Sequence, residues 1–217
     1  MRGILLRGLK INFKSMQYYQ DIITAKSFKI LQNLKRQFNF ILIGGWAVFL
    51  YTRSLKSKDI DIISDYQLLD KLKEKYDLNK NNRLKKYEIV IDEIDIDIYA
   101  PFYSELGIPA EDIGKNTNNV EGFAVPRKEI LLILKQIAHN EREGSSKGEK
   151  DKIDIISLLN SGGFDFKFYQ NVLHAYNLKK YQEGLLTLLN TTAQVKELNL
   201  NEYQYSKLKK EVRAQLA

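Results

Sequence analysis

The segment from Ile43 to Ile63, IGGWAVFLYTRSLKSKDIDII, limits what this chain can fold into more than any other. The apolar run FILI stops at Gly44-Gly45, and a helix-compatible stretch follows. A basic link then carries Arg53, Lys56 and Lys58, and an alternating strand ends the segment. A period of two puts Asp59 and Asp61 on one face of that strand and Ile60 and Ile62 on the other. Aspartate is depleted in strands, and at about 4 Å with an effective dielectric of about 20 two carboxylates repel by roughly 4 kcal/mol. A divalent cation between them turns that repulsion into ligation by hard oxygen donors. Taken alone, the pair also fits a half-exposed strand with a solvated acidic edge. The glycines narrow the choice, because backbone N–H groups at a glycine turn opening a helix form a phosphate cradle. A phosphate cradle followed by a carboxylate pair is what a nucleoside triphosphate site needs.

A second acidic stretch, KKYEIVIDEIDIDIYAPF, reads as two strands joined at Asp92-Glu93 or as one long bent strand. Asp95 and Asp97 share one face of it, with Ile94, Ile96 and Ile98 on the other. Placed beside the first strand, it can complete a three-carboxylate metal site. Asp95 and Asp97 have the same parity, so periodicity leaves both open, and Asp95 also fits a structural partner for a lysine.

At 217 residues, 44% hydrophobic and 28% charged, the chain has the make-up of an ordinary globular protein with a real core. Its net charge of +7 favours polyanionic partners, nucleotide or nucleic acid. There is no cysteine, which excludes disulfides and thiolate metal sites, and His139 and His174 are too few for a multi-histidine zinc centre. No apolar run approaches the roughly 18 residues of a membrane span. The start, MRGILLRGLKINFKSM, is interrupted by Arg7 and Lys10 and has no small-residue cleavage site, so it does not read as a signal peptide. Residues 1–15 read as an extended arm, or as sequence ahead of a start at Met16. The expected compartment is the cytoplasm.

Phe28, Leu31, Leu34 and Phe38 recur at helical spacing and predict a helix over Tyr18–Phe38 on the back of the sheet. Its lysines and arginine leave a basic RNA-binding helix as the alternative. Phe40–Ile43 is a strand buried on both faces, Trp46–Tyr51 a helix with Trp46 as a packing residue, and Lys58–Ser64 a strand. Tyr66–Tyr76 is an amphipathic helix with Leu68, Leu69 and Leu72 inward, and Asn79–Asn82 is a polar turn. Ser104–Glu121 reads as loop, Gly122–Val125 as a return strand, and Arg127–Asn140 as a buried helix after Pro126. On that helix Lys135, His139 and Arg142 form one stripe. A lysine inside LLILKQIA either snorkels outward or faces a buried anion. GSSKGE is a polar, flexible loop. From Asp151 onward the chain is helices only, over 151–160, 165–175, 178–190 and 200–216, with Phe164, Phe166, Phe168 and Tyr169 as an aromatic cluster between them.

The order G-G-W, a spacer with Arg and Lys, then D-I-D-I resembles the signature of the DNA polymerase β-like nucleotidyltransferase superfamily. Some members carry Ser as the second residue of the glycine pair, where this chain has Gly45. The run K-Q-I-A-H-N-E-R…K-D-K-I-D over 135–154 resembles the pattern after the catalytic strands of AbiEii-like nucleotidyltransferases. Those are the toxins of type IV toxin–antitoxin systems, and the pattern also occurs in related small prokaryotic members. The likeness covers about residues 39–160. It implies an α/β (α+β) fold, with a small mixed sheet flanked by helices and followed by a C-terminal helical bundle. The divisions are 1–38, arm and helix; 39–126, catalytic core; and 127–217, helical region. It implies that Asp59, Asp61 and Asp97 hold two Mg²⁺ ions, since D-I-Y-A-P-F resembles the family's strand ending better than the context of Asp95, the alternative third ligand. It further implies nucleotide binding by Gly44, Gly45, Arg53, Lys58 and Lys135, with Arg142, Lys150 and Asp151 lining or bracing the site.

The expected activity is Mg²⁺-dependent transfer of a nucleoside monophosphate from a triphosphate to an acceptor hydroxyl. Charge and resemblance favour a tRNA end; a protein hydroxyl and a small-molecule antibiotic suit the same chemistry. A toxin-like role implies a cognate antitoxin as partner. The rival reading is a catalytically silent protein of this fold that binds nucleic acid or a partner. Phosphotransfer of the kinase kind is disfavoured, because no G-x-x-x-x-G-K-[ST] loop is present.

Overall fold

A computed structural model describes residues 13–216. The expected arm lies outside the described residues up to residue 12; residues 13–15 open the first helix. In chain order the elements are α1 (Phe13–Gln37), β1 (Ile41–Ile43), α2 (Gly44–Thr52), β2 (Ile60–Ile63), α3 (Tyr66–Lys75), β3 (Asn79–Asn81), β4 (Lys86–Ile91) and β5 (Ile94–Tyr99). There follow α4 (Ala110–Gly114), β6 (Thr117–Val120), β7 (Phe123–Pro126), α5 (Lys128–Glu141), α6 (Ser146–Asn160), α7 (Phe166–Ala175), α8 (Lys180–Thr191) and α9 (Glu202–Leu216).

The strands form one mixed sheet in the order β3-β4-β5-β2-β1-β7-β6. β1 runs antiparallel to β2 and parallel to β7, while β2 and β5 are parallel. Asp92 and Glu93 both have positive φ, 48° and 67°, as a two-residue hairpin demands, so the second acidic stretch is two strands, with Ile91 facing Ile94. Register sorts the faces. Leu42 faces Ile62, Ile60 faces Ile96 and Ile62 faces Ile98, and all five are buried. The other face carries Asp61 directly across from Asp97. Past β7 the chain is helical, and α5 and α6 pack on each other and on α2.

Four segments differ from the sequence reading. Asn79–Asn81 is an edge strand rather than a turn, and Thr117–Val120 is another. Neither is apolar, because an edge strand has one side to the solvent and is safer polar. α4 interrupts the expected loop. GSSKGE is mostly the first turn of α6: Ser145 caps that helix by accepting from Gly148 N at 3.0 Å and donates to the Arg142 carbonyl at 2.7 Å. Of the aromatic cluster, Tyr169 is fully buried and the three phenylalanines are only half-buried.

Trp46 packs as expected. It is 1% exposed, its ring lies 4.9 Å from that of Phe28 on α1, and its indole N–H donates to Ser27 Oγ at 2.9 Å. Ser27→Ala strands that N–H in the core, a loss of about 1–3 kcal/mol. Urea unfolding followed by circular dichroism should show a lower midpoint with an unchanged slope.

Candidate active site

Gly44 follows β1 directly, with φ of +67°, a conformation that L side chains rarely adopt. The sharp turn aims the first residues of α2 at the next strand. A Cβ on Gly44 would lie 2.0 Å from Asp61 Oδ2, so Asp61 occupies the space where a side chain would be. Ile43 faces Asp61 across the β1–β2 ladder and Asp97 faces it across β2–β5. That register places Asp97 beside Asp61, while Asp95 is exposed, paired across the hairpin with Val90. Asp59 precedes β2, half-buried, with Lys147 Nζ 3.6 Å from its Oδ2.

The two outer carboxylates have lysines and the central one does not. Lys86 Nζ reaches across from β4 to Asp97 Oδ2 at 2.6 Å and to Glu88 at 2.9 Å. Burial works against that ammonium, but its bonds to Asp97 and Glu88 outweigh burial and raise its pKa. Asp97 itself is pushed up by burial, with Lys86 pulling the other way. Asp61 has no hydrogen-bond or ion-pair partner among the described residues. Burial first, and Asp97 next, push its carboxyl from 3.8 up to about 6; Asp59 adds to the rise, while Lys135 and Lys150 oppose it. Tyr99, two residues beyond Asp97 on the same face, has its phenol pushed up by burial and by both carboxylates.

Behind the aspartates, α5 and α6 supply a buried charge network. Lys135 is 6% exposed and faces the buried anions that were one of its two options: Asp151 Oδ1 at 3.1 Å and Asp154 Oδ2 at 2.7 Å. Burial alone would lower its pKa, but Asp154 and Asp151 raise it. Asp151 also accepts from Arg142 Nε at 2.6 Å. Asp154 is fully buried, and Lys135 is its ion-pair partner among the described residues. Burial pushes that carboxyl up, with Lys135 pulling the other way. Lys150, one residue before Asp151, points instead toward the glycine turn and donates to Ser57 Oγ at 3.2 Å.

Of the residues singled out in the sequence, the fold gathers Gly44, Gly45, Asp59, Asp61, Asp97, Lys150 and, one layer back, Lys135, Asp151 and Arg142. It does not gather Arg53. That residue caps the far end of α2, about 13.5 Å of helix from Gly44, where it pairs with Glu121 and lies over the Phe49 ring. Lys58 is exposed beside Asp59. The sequence reading missed Ser57, Lys86, Lys147 and Asp154. Asp154 closes the K-D-K-I-D run, but the other three become visible only through strand register and helix docking.

No family model matches the chain, and no curated protein does. Among solved structures, ANT(2")-Ia in complex with adenylyl-2"-tobramycin superposes with a TM-score of 0.53 at 13% identity, over 72% of this chain and 98% of that one. A Megavirus polyadenylate synthase matches with a TM-score of 0.43 at 16% identity, over 70% of this chain and 33% of that one. An antigenic nucleotidyltransferase-like protein from Paracoccidioides brasiliensis gives 0.41 at 17%, over 82% and 96%. The chain thus spans about a third of the length of the polyadenylate synthase. The superposition on ANT(2")-Ia shows a shared fold, which in this chain is a seven-stranded mixed sheet flanked by helices.

Proposed function

We propose that this protein transfers a nucleoside monophosphate from a nucleoside triphosphate to an acceptor hydroxyl. The observation that carries the reading is Asp61, pressed into the space left by Gly44 and facing Asp97, with no counter-ion in contact among the described residues. A carboxylate crowded by two others, its pKa pushed to about 6, suits a cation from outside the chain. The donor set is all hard oxygen, which fits Mg²⁺. Among the described residues no three His, Cys, Asp or Glu side chains are already gathered as a metal site, and Lys86 and Lys147 hold the outer two aspartates. Asp61 and Asp97, completed by Asp59, would hold the metal. A Mg²⁺ ion held there would supply polarisation of the acceptor oxygen and neutralisation of charge on the leaving pyrophosphate.

The chain's own groups supply the rest. Backbone donors at Gly44 and Gly45 seat the phosphates. The acceptor oxygen attacks the α-phosphorus, the bond to the pyrophosphate breaks, and the pyrophosphate leaves with that electron pair. Asp97, its carboxyl already raised by burial, takes the hydroxyl proton. Lys135, held by Asp151 and Asp154, adds positive potential behind Asp61 without touching the substrate. For the acceptor, the net charge of +7 supports a tRNA end ahead of a protein hydroxyl. The toxin-like role, with a cognate antitoxin, rests on the 135–154 resemblance alone. No helix among the described residues is long and apolar enough to cross a membrane.

Incubation with each labelled nucleoside triphosphate, Mg²⁺ and total cellular RNA or lysate should place label on RNA or on protein, depending on the acceptor. Asp61→Asn should lose at least about a thousandfold in rate, on the scale of removing one transition-state electrostatic group, while keeping the wild-type far-UV spectrum. Transfer that survives in Asp61→Asn removes the reading.

Stability should follow Asp61 as well. A carboxyl whose pKa is raised on folding favours the protonated form in the folded state. Metal-free stability should therefore fall as pH rises from about 4 through about 6. At a pH of about 7.5 without metal, Asp61→Asn should be the more stable protein by on the order of 2 kcal/mol, and the two should converge near pH 4. Thermal melts across pH check this, and added Mg²⁺ should raise the melting point of the wild type and not of the variant.

A further inference from the structure

We propose that Ser57 and Lys150 together form the seat for the terminal phosphates of the triphosphate, on the Gly45 side of the glycine turn. The proposal rests on the transfer reading above and assigns that site a residue, Ser57, from the basic link. Lys56 and Lys58 are exposed, yet Ser57 between them is only 4% exposed. Its Oγ accepts from Lys150 Nζ at 3.2 Å. Both groups press on bare backbone. A Cβ added to Gly45 would meet Ser57 Oγ at 2.7 Å and Lys150 Nζ at 3.2 Å. Asp61 thus fills the side-chain space of Gly44, and the serine–lysine pair fills that of Gly45. One glycine faces the reacting end and its neighbour faces a neutral donor and a cation.

Lys150 differs from the cations around it in having no carboxylate partner among the described residues. Around it Lys135 is committed to Asp151 and Asp154, Arg142 to Asp151, Lys86 to Asp97 and Glu88, and Lys147 to Asp59. Lys150 is half-buried, and among the described residues no carboxylate lies within ion-pair distance of it. Burial lowers its pKa, with Asp154, Asp61 and Asp59 opposing and Lys135 reinforcing, which is the mark of an ammonium kept in place without a contacting counter-ion. Of its three N–H donors one is spent on Ser57, and the hydroxyl proton of Ser57 has no acceptor among the described residues. The helix behind them adds more donors. α2 runs nine residues, and no side chain caps its first turn. A tetrahedral oxyanion can accept from Lys150 Nζ, from the Ser57 hydroxyl and from the backbone at Gly45. Those groups contact neither base nor sugar, so they recognise the polyphosphate whatever the nucleobase.

The test is equilibrium binding by calorimetry, without acceptor and with Mg²⁺, using each nucleoside triphosphate, the matching monophosphates and inorganic pyrophosphate as probes. For the nucleotide that the wild type binds, Ser57→Ala should weaken triphosphate and pyrophosphate about tenfold and leave the monophosphate unchanged, as loss of one hydrogen bond to a charged group implies. Lys150→Met, which removes the cation, should weaken both by at least as much. It serves as the second variant should Ser57→Ala fold poorly. Unchanged triphosphate affinity in both variants overturns the seat and leaves the transfer reading standing, as does an equal loss for monophosphate and triphosphate. A wild-type protein that binds no triphosphate at all overturns both.

Discussion

Asp61 faces Asp97 across a parallel ladder, and much of what surrounds that pair serves to keep two carboxylates side by side. The backbone hydrogen bonds of β2 and β5 impose the spacing, and the isoleucines on the opposite face hold the register by burial. A slip of one residue would send the aspartates into the core and the isoleucines to the cleft, so the register is strongly specified. The electrostatic strain is then divided. Lys86 settles Asp97 from β4 and Lys147 approaches Asp59 from α6, but Asp61 is left to raise its own pKa. The chain has concentrated the unrelieved charge at one atom group, against the glycine turn where phosphates would arrive.

The same division explains the layer behind. Lys135 and Lys150 leave neighbouring helices toward one region but do different things. Lys135 is locked by Asp151 and Asp154 and acts at a distance; Lys150 has no carboxylate partner among the described residues. The buried Lys135–Asp151–Asp154 cluster joins α5 to α6, and removal of any one member would leave an uncompensated buried charge. Lys150 stands one residue from Asp151 on the same helix.

A good part of this was legible in the sequence. The glycine pair, the D-x-D strand and the second acidic strand are local patterns, and period-two alternation was enough to put the aspartates on the correct face. Pairing was not legible. Asp95 and Asp97 share parity, and only the partner strand's offset distinguishes them. Lys86 lies in an unremarkable K-K-Y-E run, and its role follows from β4 lying antiparallel to β5. Arg53 failed for a related reason. It stands in the same loop as the motif, yet a nine-residue helix carries it to the wrong end. The polar edge strands β3 and β6 escaped because periodicity reports burial, and edges bury little.

The indole of Trp46 sits two residues from Gly44, wedged against Phe28 and bonded to Ser27, and it is the chain's single tryptophan. Any ligand that settles on the first turn of α2 therefore loads the very helix that holds the fluorophore. The molecule thus carries one intrinsic fluorophore beside its glycine turn, with no second tryptophan in the sequence to mask a change in its emission.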